Sequence, residues 1–247
     1  QFEVYFQPIV DLTGERCTKA EALVRWQHPT RGLVGPDEFI AIAEEIGLIG
    51  ALGDWVFHQA VAMAGEWREG RRAAGIGDDA PIQVSVNISP RQFIAGTCAD
   101  WVGHLRRRGL PPWMLAVEIT EGLLLDERPA VTDTLLAFRD AGIQVSIDDF
   151  GTGYSAMSYL KKFAVDTLKI DRSFVRDLTT DPSDLAIAEA VIVMAHKLGL
   201  KVVAEGVETA AQRDLLRQAG CDYAQGYLFA RPLAADDFRR FIASPAR

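Results

Sequence analysis

Short runs rich in Val, Ile and Leu recur along the chain, and a stretch with helical periodicity separates most of them. Strands buried on both faces of a parallel sheet have this nearly continuous apolar character. The predicted strands are Val4–Leu12, Lys19–Trp26, Ile82–Ser89, Leu115–Thr120, Gln144–Phe150, Thr167–Asp171, Lys201–Val207 and Tyr223–Phe229. Because strands and helices alternate over 247 residues, the pattern predicts an α/β domain folded as a TIM-like (β/α)₈ barrel, for which about 250 residues are typical. A doubly wound open sheet is the alternative that the pattern leaves.

The first two predicted strands depart from this repeat. Only a short turn, Thr13-Gly14-Glu15, joins them, where a regular barrel would place a helix. We therefore expect these two strands to form a hairpin.

Start signals mark the helices between the later strands. Two helices are expected to begin with a capping box, formed by Ser89 with Gln92 and by Thr209 with Gln212. Another helix begins at Asp181-Pro182. The apolar face expected for that helix consists of Ile187, Val191, Met194 and Leu198.

Charge and cysteine content limit the class of protein. The net charge of −8 disfavours a broad surface for nucleic-acid polymers, because such surfaces are usually basic. No apolar run approaches the roughly 18 residues that span a membrane, and the start of the chain lacks the basic and apolar regions of a signal peptide. The 3 cysteines are widely spaced, which fits the reduced thiols of a cytoplasmic protein better than a disulfide framework.

Polar residues stand at the ends of nearly all predicted strands, and in a β/α barrel these ends converge on one mouth. A single Asp or Glu at a strand end is usually a cap or a solvated loop residue. Several carboxylates brought together would repel each other and raise each other's pKa values unless cations lay between them. We therefore predict a metal site at the mouth. The polar set consists of Glu21, Asn87, Glu118, Asp148, Asp149, Lys169, Glu205 and Gln225.

The ligand atoms of the predicted site are carboxylate and amide oxygens, which select Mg²⁺ or Mn²⁺ over zinc. The 4 histidines show no ligand spacing, although His28 lies just past a strand end. Asp148 and Asp149 would point to opposite faces of a regular strand, but at a strand terminus both can turn toward the mouth. One of them could then bridge two ions, an arrangement that recurs in enzymes that hydrolyse phosphate esters.

Two basic residues accompany the acidic set. A lysine beside two cations should have a lowered pKa, so Lys169 could orient or help to deprotonate a water molecule. A salt bridge to a neighbouring carboxylate describes Lys169 equally well. Arg25 could bind a phosphate in a bidentate manner, or it could form a salt bridge at the rim of the mouth.

The order of these residues along the chain also resembles a known family. The motifs that carry the resemblance are Tyr5-Phe6-Gln7-Pro8-Ile9-Val10, Glu21-Ala22-Leu23-Val24-Arg25-Trp26, Val86-Asn87-Ile88-Ser89, Glu118-Ile119-Thr120-Glu121, Asp148-Asp149-Phe150-Gly151-Thr152-Gly153-Tyr154-Ser155, Leu168-Lys169-Ile170-Asp171, Ala204-Glu205-Gly206-Val207-Glu208 and Gln225-Gly226-Tyr227-Leu228-Phe229. Together they cover nearly the whole chain and resemble the EAL domain of the bacterial cyclic di-GMP phosphodiesterases. Glu21-Ala22-Leu23 alone would carry no information, because three common residues recur by chance.

The resemblance implies a barrel whose first strand runs antiparallel to the others, and hydrolysis of cyclic di-GMP to linear pGpG with two ions, Mg²⁺ or Mn²⁺. The residues implied to hold the first ion are Glu21, Asn87, Glu118 and Asp148. The second ion would be held by Asp148 and Asp149, with Glu205 near it, directly or through water. Glu21, Lys169 and Glu205 would be the catalytic residues, with Lys169 acting on the attacking water.

Further residues acquire a role only through the resemblance. Gln7, Arg25 and Gln225 would form the substrate-binding side of the site. Asp171 and Glu208 match family positions whose roles we leave open. The roles of Glu121 are considered separately, since two are compatible with its position.

Glu121 lies just outside the predicted strand that carries Glu118 and resembles the family glutamate that anchors the loop after the aspartate pair. Its carboxylate would accept hydrogen bonds from loop amides or from Thr152 or Ser155. The alternative is that Glu121 is one more metal ligand.

The resemblance also implies a homodimer in the bacterial cytoplasm. Residues 1–247 would then be a single EAL domain excised from a longer protein, because relatives often carry sensory or cyclase domains upstream. Many relatives lose acidic residues and become binding modules, so the alternative function is a catalytically silent cyclic di-GMP receptor or a dimeric scaffold. This chain keeps all of the acidic residues, which favours catalysis.

Overall fold

Ten strands form one sheet in the computed structural model of the protein, which describes residues 1–73, 75, 82–126, 128–151, 160, 163 and 165–243. The strands are β1 (Phe2–Asp11), β2 (Cys17–His28), β3 (Gly32–Val34), β4 (Gln83–Asn87), β5 (Leu115–Thr120), β6 (Gln144–Phe150), β7 (Thr167–Ile170), β8 (Lys201–Ala204), β9 (Tyr223–Gln225) and β10 (Leu233–Ala234). All of the predicted strands are present, whereas the two-to-three-residue strands β3 and β10 were not predicted.

The sheet closes on itself through β1. Parallel pairing runs from β2 through β4 to β9, and β1 pairs antiparallel with both β2 and β9. The fold is therefore a closed eight-stranded α/β barrel with an antiparallel first strand, as expected, and the open doubly wound sheet is wrong. The short strands β3 and β10 extend the edges by pairing with β2 and β1.

The last strand ends earlier than its apolar pattern suggested. Strand β9 stops at Gln225, and the chain then turns so that the amide of Leu228 donates to the Val207 carbonyl at 3.0 Å and that of Phe229 to the Gly226 carbonyl at 3.1 Å. These bonds replace the ladder that the predicted run to Phe229 would need. The apolar residues of this turn pack against the core without belonging to the sheet.

Helices cover the outside of the barrel. In the described part of the chain they are α1 (Ile40–Glu45), α2 (Ile49–Ala73), α3 (Pro90–Ala95), α4 (Trp101–Arg107), α5 (Glu121–Leu124), α6 (Pro129–Ala141), α7 (Arg172–Arg176), α8 (Pro182–Lys197), α9 (Ala210–Gln218) and α10 (Ala235–Ala243), with 3₁₀ turns at Pro36–Glu38 and Pro112–Met114. Both predicted capping boxes are formed, at the starts of α3 and α9. Within the described residues, none of these helices has the length and apolar character needed to cross a membrane.

The apolar face predicted for α8 is confirmed only in part, because Val191 and Met194 pack against the core whereas its other two members do not. The helix buries Ala188, Ile192 and Ala195, whereas Ile187 and Leu198 are 39% and 45% exposed. Apolar residues lie on more than one side of α8, so periodicity could not select the contact face. The small alanine side chains allow the helix axis to approach the sheet closely.

Alternate residues of the strands face two different environments. Those that point outward fill the space between sheet and helices; Val84, Val117, Ile147, Leu168 and Val202 are almost fully buried there. The barrel interior is polar instead. It contains a cavity of about 10 Å³ whose lining includes Lys19, Ser85, Glu118, Ser146, Thr167 and Lys169.

Candidate active site

The Lys169 ammonium is the centre of a charged cluster at the carboxyl end of the barrel. Its Nζ atom lies 2.7 Å from Glu118 Oε2, 2.7 Å from Glu205 Oε1, 3.1 Å from Asp148 Oδ1 and 3.5 Å from Glu21 Oε2. The lysine side chain is 1% exposed. The strand register explains the convergence. Four of these residues stand at or near the carboxyl ends of β5, β6 and β7 or just after β8, and Glu21, which lies within β2, is opposite Ser85 near the end of β4. The structure therefore brings the predicted acidic set together.

Amide side chains hold the Glu21 carboxylate from two sides. Asn87 Nδ2 donates to Glu21 Oε1 at 2.7 Å, and Gln225 Nε2 donates to Glu21 Oε2 at 2.7 Å. Gln225 Nε2 also lies 3.2 Å from Gln7 Oε1. The Gln225 Oε1 atom is buried and has no hydrogen-bond partner among the described residues, so this oxygen keeps an unused capacity to accept.

The protein's own groups raise the pKa of Lys169, whereas the lowering expected beside two cations stays a prediction. Burial alone would lower this pKa, but the carboxylates of Asp148, Glu118, Glu205 and Glu21 outweigh burial and hold it well above its usual value. The reason is that anions, rather than cations, surround the ammonium. Of the two roles left open for Lys169, the salt bridge is the one that the protein atoms form.

Proximity of like charges separates the pKa values of the glutamates. Burial would raise the pKa of Glu21, yet Lys169 and the two amide donors outweigh it and lower this pKa. Burial and the nearby Glu21 charge raise the pKa of Glu118 well above its usual value. Burial also raises the pKa of Glu205 to about 8, against the opposing effect of Lys169. Of these three glutamates, Glu205 is therefore the one whose pKa is placed near neutral pH.

The aspartate pair occupies an irregular strand end. Pairing between β6 and β7 shifts its register between Ile147 and Phe150, and Asp149 has a φ of 54°, in the left-handed region. This bulge turns both carboxylates to one side, as the sequence suggested. Oxygens of Asp148, Asp149 and Glu205 lie within 4.8 Å of one another, close enough to hold a metal ion.

Glu121 begins α5 directly after β5 and is 4% exposed. Its Oε2 accepts a hydrogen bond from the Gly151 amide at 3.4 Å. This contact reaches the first residue after the aspartate-bearing strand, as a loop anchor requires, while Thr152 and Ser155 lie outside the described residues. In the part of the chain that the structure describes, Glu121 is not a member of the carboxylate group formed by the aspartate pair and Glu205.

Asp171 and Glu208 occupy different positions relative to the cluster. The Asp171 carboxylate caps α7 by accepting from the Ser173 amide at 3.0 Å, and together with burial and Asp148 it raises the pKa of Asp149. Glu208 is exposed, and its amide donates to Gln212 Oε1 at 2.8 Å beside the α9 capping box. Asp171 therefore borders the site, whereas Glu208 contributes its backbone to a helix start.

Arg25 lies on the same strand face as Glu21 and is half-buried. Its Nη1 donates to the Val24 carbonyl at 3.0 Å, and the described residues contain no ion pair with its guanidinium. The predicted rim salt bridge is therefore absent there, which leaves the guanidinium able to bind an anion. His28 closes the β2–β3 turn instead of facing the mouth, since its Nδ1 accepts from the Thr30 amide at 3.2 Å.

Comparison with known proteins identifies the family to which this architecture belongs. A family model described as the EAL domain matches residues 1–232. The chain belongs to the EAL domain family. This family includes cyclic di-GMP phosphodiesterases, among them NbdA of Pseudomonas aeruginosa, which is 42% identical over 252 residues that cover 99% of this chain and 31% of NbdA.

Solved EAL structures superpose closely on the chain. The PaMucR phosphodiesterase in complex with c-di-GMP has a TM-score of 0.88 and 38% identity, over 96% of this chain and 94% of that one. The EAL domain of Mycobacterium smegmatis DcpA has a TM-score of 0.78 and 36% identity, over 98% and 95% of the two chains. The chain spans about a third of the length of the curated relatives it matches.

Sequence reasoning missed a second lysine inside this EAL barrel. Lys19 Nζ donates to Gln83 Oε1 at 2.8 Å and lies 4.8 Å from the centre of the Tyr223 ring. A signal was available, because a period of two along β2 places Lys19 on the same face as Glu21.

Proposed function

We propose that this EAL domain hydrolyses one phosphodiester bond of cyclic di-GMP and releases linear pGpG with the help of two divalent ions, Mg²⁺ or Mn²⁺. The observation that carries the proposal is the convergence of four carboxylates on Lys169 at one mouth. A family that includes cyclic di-GMP phosphodiesterases supplies the substrate class.

The donor set fits divalent ions. The oxygens of Asp148, Asp149 and Glu205 already lie within 4.8 Å of one another, and they would hold the second ion. The group proposed for the first ion consists of Glu21, Asn87, Glu118 and Asp148. When bound, such ions would neutralise the phosphate charge and lower the pKa of a water molecule between them.

The chain's own residues divide the proton chemistry. pGpG carries its terminal phosphate on a 5′ oxygen, so water adds to phosphorus while the bond from phosphorus to a 3′ oxygen breaks, and that oxygen takes up a proton. Glu205, whose pKa the protein's own groups raise to about 8, would release its proton before it could hold an ion. The proposed role of Lys169 is that of a hydrogen-bond donor that orients the water or a phosphate oxygen, and its Nζ atom lies 2.7 Å from Glu205 Oε1.

The proposed substrate contacts come from β1, β2 and β9, on one side of the mouth. Arg25 offers a guanidinium without an ion-pair partner in the described residues, which suits a phosphate group. Gln225 and Gln7 line the wall beside Glu21, where Gln225 also fixes the carboxylate at 2.7 Å. Glu21, Lys169 and Glu205 are the proposed catalytic residues.

A catalytically silent receptor is the second candidate. Lys169 contacts four carboxylates, and this partly paired cluster could bind cyclic di-GMP without turnover. Incubation of the purified chain with cyclic di-GMP and Mn²⁺, followed by chromatography for pGpG, separates the candidates. We expect turnover that chelator abolishes, that Mg²⁺ or Mn²⁺ restores and that Ca²⁺ restores poorly, because Ca²⁺ prefers more ligands at longer distances. Binding without pGpG under all of these conditions would select the receptor, and neither binding nor turnover would select the scaffold.

The assembly proposed with this function is a cytoplasmic homodimer attached to an upstream sensory or cyclase domain. The support is the family and the length of the relatives, of which this chain matches about a third. Light scattering on the purified chain tests the dimer, for which a monomer mass at micromolar concentration would be contrary evidence.

A further inference from the structure

The turn after β9 carries an exposed aromatic side chain at the mouth of the barrel. Gln225, the last residue of β9, reaches the Glu21 carboxylate at 2.7 Å. Tyr227 follows two residues later and is 50% exposed. The exposed ring therefore stands two residues beyond a side chain that contacts the acidic cluster.

The backbone that supports this ring is tightly held. The Val207 amide donates to the Gln225 carbonyl and the Leu228 amide to the Val207 carbonyl, both at 3.0 Å. A Cβ atom on Gly226 would lie 2.1 Å from the Val207 oxygen, so only glycine permits this approach. The two strand ends therefore fix the position of the Tyr227 ring before any ligand binds.

One face of the ring is already occupied. The guanidinium carbon of Arg231 lies 4.2 Å from the centre of the Tyr227 ring, which is a cation–π contact. Such a contact fixes the ring plane and covers one side. Tyr227 as a whole is still 50% exposed, so part of its surface remains accessible to a second planar group.

Arg25 connects the ring to the charged cluster. It stands four residues after Glu21 on the same strand face. Both Glu21 and Tyr227 act electrostatically on its guanidinium. Arg25, which forms no ion pair within the described residues, therefore interacts with both the acidic cluster and Tyr227, so that a phosphate on Arg25 and a base on the ring could belong to one nucleotide.

We infer that the Tyr227 ring is the stacking platform for one guanine base of the substrate. The inference rests on the proposed function, because it names how the same site binds its substrate. Stacking of a base on an aromatic side chain contributes roughly five- to a hundredfold in affinity. The hydroxyl group of Tyr227 is not needed for stacking, so a phenyl ring should replace it.

The test compares Tyr227→Leu, Tyr227→Phe and a matched control. Trp113→Leu is that control, because Trp113 is also an exposed aromatic residue, 44% accessible, but it lies just before β5 at the opposite end of the barrel. For each protein, KM and kcat are measured for cyclic di-GMP with Mn²⁺, and hydrolysis of methyl 4-nitrophenyl phosphate reports on a diester without a base. Thermal unfolding checks that each variant is folded.

We expect Tyr227→Leu to raise KM for cyclic di-GMP by at least about fivefold, with kcat and the base-free reaction within twofold of the unaltered protein. Tyr227→Phe and Trp113→Leu should behave like the unaltered protein. An unchanged KM for a folded Tyr227→Leu overturns the platform while leaving the proposed function intact. An equal loss on both substrates also overturns it, because it would show that the ring supports the metal cluster. If the unaltered protein neither binds nor cleaves cyclic di-GMP, the proposed function fails and this inference with it.

Discussion

Two lysines are buried inside the same barrel, and their surroundings drive their pKa values in opposite directions. Lys169, at the carboxyl end, lies between four carboxylates that hold its pKa well above the usual value despite burial. Lys19, at the amino end, is surrounded by an amide oxygen and an aromatic ring, and burial lowers its pKa although Asp166 and Glu118 oppose this. The two ends of one interior thus offer opposite environments to the same side chain.

The difference shows where the barrel concentrates charge. The amino end pairs polar groups one to one: Gln83 accepts from Lys19 at 2.8 Å and donates to Gln144 Oε1 at 2.8 Å. The carboxyl end gathers more anions than its lysine can neutralise. An excess of negative charge is costly in a stable core unless further cations neutralise it. The carboxyl end is therefore the end of the barrel that is suited to chemistry.

The largest expected effect on activity follows from removing a carboxylate at the carboxyl end of the barrel. Glu21→Ala removes the carboxylate that two amides and Lys169 hold, and we expect kcat for cyclic di-GMP to fall by at least about a thousandfold, since a ligand to a catalytic ion contributes several kcal/mol. Ser85→Ala is the matched control on the neighbouring strand, opposite Glu21 in register, and should retain activity within about threefold. Hydrolysis by Glu21→Ala at the unaltered rate would remove the metal assignment.

The two lysines give the most direct contrast. Lys169→Met should lower kcat by about a hundredfold or more with little change in KM, because Lys169 acts on the transition state. Lys19→Met should keep kcat within about threefold, since Lys19 has no contact with the proposed ligands. Steady-state kinetics with Mn²⁺ measure both parameters. A rise in KM alone would reassign Lys169 to substrate binding, and equal losses in both variants would remove the contrast.

A thermal unfolding experiment complements those kinetics. Without Lys169 the carboxylates repel each other, so Lys169→Met should melt earlier than the unaltered protein in chelator and recover when Mn²⁺ is added. Lys19→Met should show no such additional recovery. A similar response to Mn²⁺ in both variants would mean that the acidic cluster does not bind the ion.

A smaller effect is expected at the loop anchor. Glu121→Ala removes the acceptor of the Gly151 amide and should weaken the apparent affinity for the second ion by about tenfold, corresponding to a lost hydrogen bond to a charged group. High Mn²⁺ should rescue Glu121→Ala but not Glu118→Ala, which loses a ligand of the first ion. Mn²⁺ titrations of the activity of both variants decide whether Glu121 is a loop anchor or a metal ligand. Rescue of both variants or of neither would refute the loop-anchor role.

The smallest effect is a dependence of ion affinity on pH. The pKa of Glu205, about 8, lies above that of an ordinary glutamate, so below pH 8 the free site holds a proton that an ion must displace. Apparent Mn²⁺ affinity should therefore rise by about fivefold from pH 7 to pH 8 and level off above it. Glu205→Gln should remove this rise, measured by calorimetry without substrate. An affinity that is flat across this range would place the Glu205 pKa elsewhere.

Local patterns were sufficient for much of the fold. Apolar runs identified every strand of the closed barrel, and capping boxes located the starts of α3 and α9, because both signals depend on neighbouring residues only. The face of α8 could not be chosen in this way. It was decided by which side chains, Ala188 and Ala195 among them, allow close packing against the sheet.

For the site, the sequence by itself determined which residues stand at strand ends and hence which carboxylates could meet. Their ionisation was decided only by the tertiary structure. The protein's own groups raise the pKa of Lys169 because a pKa depends on charges that are distant in sequence, here Glu21 and Glu205. The position of Tyr227 depends likewise on hydrogen bonds between the segment after β8 and the end of β9. No local pattern predicts these bonds, because strand order and register bring the two segments together.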